Sequence, residues 1–98
     1  MQVNQPIGRT PFAFEMTTIT SGAVVRLAEA YRTVYKAAYI TIEDNPIRYR
    51  IDGGDASAAL GHPVVATQSL YFEDPQSLRE LRMLATGGDA IAQITYYK

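Results

Sequence analysis

Much of this chain alternates apolar and polar residues with a period of two, and that period most limits what it can fold into. Ala38, Ile40 and Ile42 alternate with Tyr39, Thr41 and Glu43, while Ile47, Tyr49 and Ile51 alternate with Arg48, Arg50 and Asp52. Successive side chains of a strand point to opposite faces, so each run offers one apolar and one polar face, as in an antiparallel sheet with one side on a core. Asp44, Asn45 and Pro46 lie between the two runs and predict a turn, hence a β-hairpin. In such a hairpin Ile51 faces inward with Ile47 and Tyr49, because turning it outward alone would need a register slip. A second pair of runs repeats the pattern. Leu81, Met83 and Ala85 lead through Gly87, Gly88 and Asp89 into Ala92, Ile94 and Tyr96, which predicts a second hairpin.

Shorter runs fill in the rest. Phe14 to Thr20 alternates and is rich in threonine, Val64 and Val65 begin a short strand, and Leu70 and Phe72 mark another. Asp74 as N-cap before Pro75 predicts a helix start, with at most one turn following. Ala23 to Ala38 supports two readings. Val24, Leu27, Tyr31, Val34 and Ala38 form a helical stripe, whereas Val25, Thr33, Tyr35 and Tyr39 favour extended chain. Together these elements predict an all-β fold. It is a small antiparallel β-sandwich or barrel of six to eight short strands, with an extended N-terminal arm over residues 1–13 and a single domain over residues 14–98.

Charge and composition narrow the function. Nine Lys and Arg against ten Asp and Glu leave a formal net charge of -1 in 98 residues, which disfavours nucleic acid as a partner. No run reaches the length of a membrane span, and the first residues do not read as a signal peptide, so the expectation is a soluble, unsecreted chain. There is no Cys and one His, too few side chains for a transition-metal site, and no cofactor is expected.

The residues that could carry chemistry are few. Ser57, Asp52 and His62 can be written as a triad, with Asp55 as an alternative acid, but they share one glycine-rich segment without a nucleophile elbow. The expectation is that His62 orders its loop and that the chain is not an enzyme. Asp52, Gly53, Gly54 and Asp55 lack the spacing of an EF-hand, because the twelfth position is Pro63. Surface anchors are better represented. Arg48 and Arg50 share one strand face, where they could bind a partner's carboxylates or Glu43 across the hairpin, and Tyr39, Tyr71 and Tyr97 fall on the outward phase of their strands. Phe12 and Phe14 could anchor the arm in a groove. These seven are the candidate interface residues.

The run Ile42, Glu43, Asp44, Asn45, Pro46, Ile47, Arg48, Tyr49, Arg50, Ile51, Asp52, Gly53, with Gly61, His62 and Pro63 and the closing Ile94, Thr95, Tyr96, Tyr97, resembles a group of small proteins of tailed bacteriophages and prophages. The likeness covers about residues 37–98, and it departs from the group at Gly54, Asp55 and Ala56, where Thr or Pro is usual after Asp-Gly. The resemblance implies extended chain over Ala23 to Ala38 and a virion structural role, in a particle assembled in the host cytoplasm. Within that class the expectation is a capsid decoration (cement) protein, a homo-oligomer bound to the major capsid protein lattice or to other virion proteins. The alternatives are a head-tail connector or tail component, and a host-attachment module that binds glycan through exposed tyrosines.

Overall fold

The structure is a computed structural model and describes residues 10–98. Its strands are β1 (Pro11–Ile19), β2 (Ala37–Glu43), β3 (Ile47–Arg50), β4 (His62–Val64), β5 (Ser69–Phe72), β6 (Arg82–Ala85) and β7 (Ala90–Tyr97), with short helices α1 (Glu29–Arg32) and α2 (Pro75–Glu80). All pairings are antiparallel. One sheet has the order β1-β7-β2-β5 and the other β4-β3-β6, which makes the domain the expected small all-β fold. Ile19, Ile40, Ile42 and Ile94 from the first sheet meet Ile47, Val64, Met83 and Ala85 from the second in one core, closed by Leu27, Leu78 and Leu81. Tyr49 of β3 sets its ring edge-on to Phe72 of β5 at 5.7 Å and links the two layers.

Both expected hairpins are absent, although the strands that would form them are present. β2 pairs with β5 and β7, β3 with β4 and β6, so Asp44, Asn45 and Pro46 carry the chain from one sheet to the other. Gly87, Gly88 and Asp89 make the same crossing from β6 to β7. A strand with one apolar face can bury it beside its neighbour or opposite it, and alternation is the same in both cases. The two corners hold each other. Asn45 Nδ2 donates to the Asp89 carbonyl at 2.8 Å, and Thr86 N donates to the Pro46 carbonyl at 3.1 Å. Gly88 has φ +133°, and a Cβ there would stand 3.1 Å from Asn45 Nδ2.

Other expectations change locally. β1 starts at Pro11, so Pro11, Phe12 and Ala13 of the expected arm belong to the sheet, and residues 1–9 lie outside the described residues. Ala23 to Ala38 is not a long helix; most of it is irregular, and only Ala37 and Ala38 are strand, at the start of β2. It contains the four-residue α1 and an isolated bridge from Val25 to Met83, and Val34 of the supposed stripe is exposed. Leu27 is fully buried and plugs the core from this irregular segment. α2 begins as expected, with Asp74 accepting from Gln76 N at 3.3 Å, but runs for six residues. Ile51 is exposed without a register slip, because β3 ends at Arg50 and the chain turns away.

The corner contact has a measurable weight. Asn45→Ala removes a hydrogen bond worth about 1 kcal/mol, and Gly88→Ala forces a side chain into a positive-φ site at about 1–3 kcal/mol. Urea unfolding should show both variants with lower midpoints and Gly88→Ala the lower of the two; an unchanged midpoint for either contradicts the corner lock.

Candidate functional site

Strand registers align Phe14, which is exposed, with the half-buried Tyr39 and Tyr71 on the outer face of the four-stranded sheet. Phe14 lies opposite Thr95, Thr95 opposite Tyr39, and Tyr39 opposite Tyr71, which forms one row across all four strands. The next row is Met16, Gln93, Thr41 and Ser69, and the third brings Thr18, Ile91 and Glu43 together. Phe14 is 60% exposed and Met16 63%, an apolar stripe on the sheet's edge strand.

The remainder of the face is amphipathic and internally bonded. Tyr39 donates its hydroxyl to Ser69 Oγ at 3.1 Å, and Gln93 Nε2 donates to Glu43 Oε1 at 3.1 Å. Tyr97 is opposite Ala37 in β2, and this small residue lets the Tyr97 ring meet the edge of Tyr71 across the strand at 6.5 Å. Tyr97 is therefore on the expected face but buried, at 5% exposure. Burial first, then the neighbouring Tyr71 and Tyr39 phenols, push its pKa up.

β1 presents its larger apolar residues outward because its inner phase is committed. Ile19 is fully buried, and Glu15 accepts a 2.6 Å hydrogen bond from the Tyr96 hydroxyl. Burial and that bond raise the Tyr96 pKa. An irregularity between Pro11 and Ala13 turns Phe12 out of this pattern. Its ring lies 6.1 Å from Tyr35 and beneath Lys98 Nζ at 4.0 Å, in an aromatic cluster completed by Tyr31 and Tyr96. Phe12 thus stands apart from Phe14, Tyr39, Tyr71 and Tyr97.

Arg48 and Arg50 lie in the other sheet and hold their own β3–β4 loop. Arg48 Nη1 donates to the Gly61 carbonyl at 2.8 Å. Arg50 grips Asp52 through Nε at 3.0 Å and Nη2 at 2.8 Å, and reaches the Asp55 carbonyl at 3.2 Å. The partner considered for them within the domain was Glu43, which instead meets Gln93. Gly54 leaves room for this clamp, since a Cβ there would fall 2.5 Å from Arg50 Nη2. Arg82 Nε completes it with a 3.2 Å contact to Asp55 Oδ1.

The loop also frames an open depression of about 630 Å³ lined by Arg50, Ile51, Asp52, Leu60, Gly61 and His62. The grouping considered for catalysis is dispersed by its bonding. Ser57 Oγ accepts from Leu60 N at 3.0 Å, Asp52 is held by Arg50, and the His62 ring packs on Tyr49 at 5.2 Å. Among the described residues no group of three or more His, Asp or Glu converges as metal ligands. No helix among them is long and apolar enough to cross a membrane. Comparison with known proteins found no match to a family model, a curated protein or a solved structure.

The Arg50 clamp has a pH signature. The bond from Arg50, then that from the Gly54 amide, lowers the Asp52 carboxyl from 3.8 to about 2. Because the folded value is depressed, the clamp's contribution is complete above pH 4 and is lost as pH falls through about 2. A carboxyl carbon NMR titration should give a midpoint near 2 for Asp52, returning toward 3.8 in Arg50→Gln; an ordinary midpoint in the native chain rules out the clamp.

Proposed function

We propose that this chain is a structural binding protein that attaches to a larger protein assembly through the outer face of its four-stranded sheet. The observation that carries this reading is the row from Phe14 through Thr95 and Tyr39 to Tyr71, with Met16 exposed beside it. Aromatic and methionine side chains on a surface with few charges have the composition of interface cores. Arginines are also common anchors, but Arg48 and Arg50 direct their donors to their own loop, which leaves the sheet face as the stronger candidate.

The particular assembly follows from the resemblance of residues 37–98 to small phage proteins: a capsid decoration protein of a tailed phage, bound to the major capsid protein lattice within the virion. The residues carrying that resemblance are largely the corner and the loop clamp. In this reading they form the scaffold, while the flat sheet face meets the partner. A head-tail connector or tail component would use the same face on a different neighbour.

Quantitative mass spectrometry of particles from the organism that encodes the chain tests the assignment. Decoration predicts copies in proportion to the capsid lattice, a connector a single ring of copies, and absence from particles removes the virion reading. Tyr71→Ser, which deletes an anchor at the sheet edge remote from β1, should lower particle occupancy about tenfold, a loss of roughly 1.4 kcal/mol. Full occupancy by that variant would exclude this face, and saturable sugar binding by the isolated chain on a glycan array would favour the host-attachment reading.

A further inference from the structure

Among the described residues four strands lie at sheet edges, and they are unequal. β4, β5 and β6 have three, four and four residues, and the free side of β6 is bridged at Met83 by Val25. β1 has nine residues. Short or covered edges resist pairing with other chains, whereas a long edge with few charges invites it.

Backbone direction on β1 follows from two hydrogen bonds. Lys98 N donates toward β1, to the Thr10 carbonyl, and the Tyr97 carbonyl accepts from Lys36 N on the β2 side. Because direction alternates along a strand, Tyr96, Ile94, Ala92 and Ala90 turn their backbone groups to β1. Their register partners Glu15, Thr17 and Ile19 turn theirs back to β7. Phe14, Met16 and Thr18 are left with N–H and C=O directed off the edge, where no strand lies among the described residues. Thr20 has the same parity, and its carbonyl already accepts from Ala85 N.

The geometry points to a second copy of this chain as the occupant of that edge, paired antiparallel through β1 about a two-fold axis at Met16. This register joins two four-stranded sheets into one eight-stranded sheet. It sets Met16 against Met16 of the other copy and Phe14 against Thr18, with about six new backbone hydrogen bonds. Glu15 then faces Thr17. Charge and existing bonds select this register over its neighbours. An axis at Glu15 would oppose two carboxylates, an axis at Thr17 or Thr18 would bring in Thr20, and an axis at Phe14 would run into the irregularity at Pro11–Ala13. The interface is isologous and closed, so it ends at a dimer. It does not depend on the phage assignment. The same pairing would fuse two aromatic faces into a doubled attachment surface.

A strand pair buries less than the roughly 800 Å² per partner of a standard interface, so the dimer is sought over a wide concentration range. Sedimentation equilibrium over about 1–500 μM should show conversion from monomer to dimer. Thr18→Pro deletes only an outward N–H, and Met16→Lys opposes two ammonium groups at the axis; each should weaken dimerisation at least tenfold while circular dichroism remains native. Val65→Lys, at an exposed apolar residue outside β1, should dimerise as the native chain does. Hydrogen exchange adds a readout independent of variant folding. The Phe14, Met16 and Thr18 amides should gain protection with concentration, while Glu15 and Thr17 are protected throughout. A monomer at all concentrations, a dimer indifferent to both β1 variants, or unchanged exchange at those three amides would overturn the proposal.

Discussion

The sandwich depends on two apolar surfaces closing on each other across chain-linked corners. β2 and β3 are consecutive, yet their inner residues Ile42 and Ile47 meet in one core from opposite sheets. The turn between them must therefore change layers. Asp44 adopts φ 77° there, and Asn45 reaches the backbone of the other corner at Asp89. The alternating pattern by itself is compatible with side-by-side hairpins as well as with facing strands. Short polar contacts at one end thus stabilise the layer-changing turns that the apolar faces require.

The domain's polar groups divide into those that stabilise it and those that remain on display. Arg48, Arg50 and Arg82 fold the glycine-rich loop against the smaller sheet, using Asp52, Asp55 and loop carbonyls as partners. Charge-assisted bonds favour the ordered form of that loop. On the opposite side the larger sheet has few ionised groups and many rings. The domain therefore has one sheet packed under its own loop and another whose outer face has few charges, the face proposed for attachment.

Much of this was legible in the residues. Alternation located β2, β3, β6 and β7 nearly to their ends, and placed Tyr39, Tyr71 and Tyr97 on the outward phase. Asp74 before Pro75 marked the start of α2. Strand partnership was not legible, because a period of two is blind to which sheet a strand joins. The helical stripe from Val24 to Ala38 was accidental: Leu27 is buried through an irregular segment, Val34 is exposed, and Ala38 belongs to β2. Arg48 and Arg50 on one polar strand face could be read as binding a partner or as pairing with Glu43. Only the fold of residues 51–61 back over them showed their partners, and Gly54 was the local signal that a bulky side chain approaches there.

β1 inverts the usual relation between residue and environment. Its inner phase contains Glu15 and Thr17, its outer phase Phe14 and Met16. A one-residue slip would bury the larger apolar pair, but it would expose Ile19 and remove Glu15 from the Tyr96 hydroxyl, leaving a buried donor unmatched. The inner register is therefore fixed by two specific residues, and the outward placement of Phe14 and Met16 follows from it. Their location on the longest edge strand, beside backbone groups directed away from the sheet, joins two separate attractions at one place: apolar area and an unfinished hydrogen-bond ladder. A flat ligand could cover the first without completing the second. An added strand completes both, and an identical strand does so without requiring any surface beyond those already present.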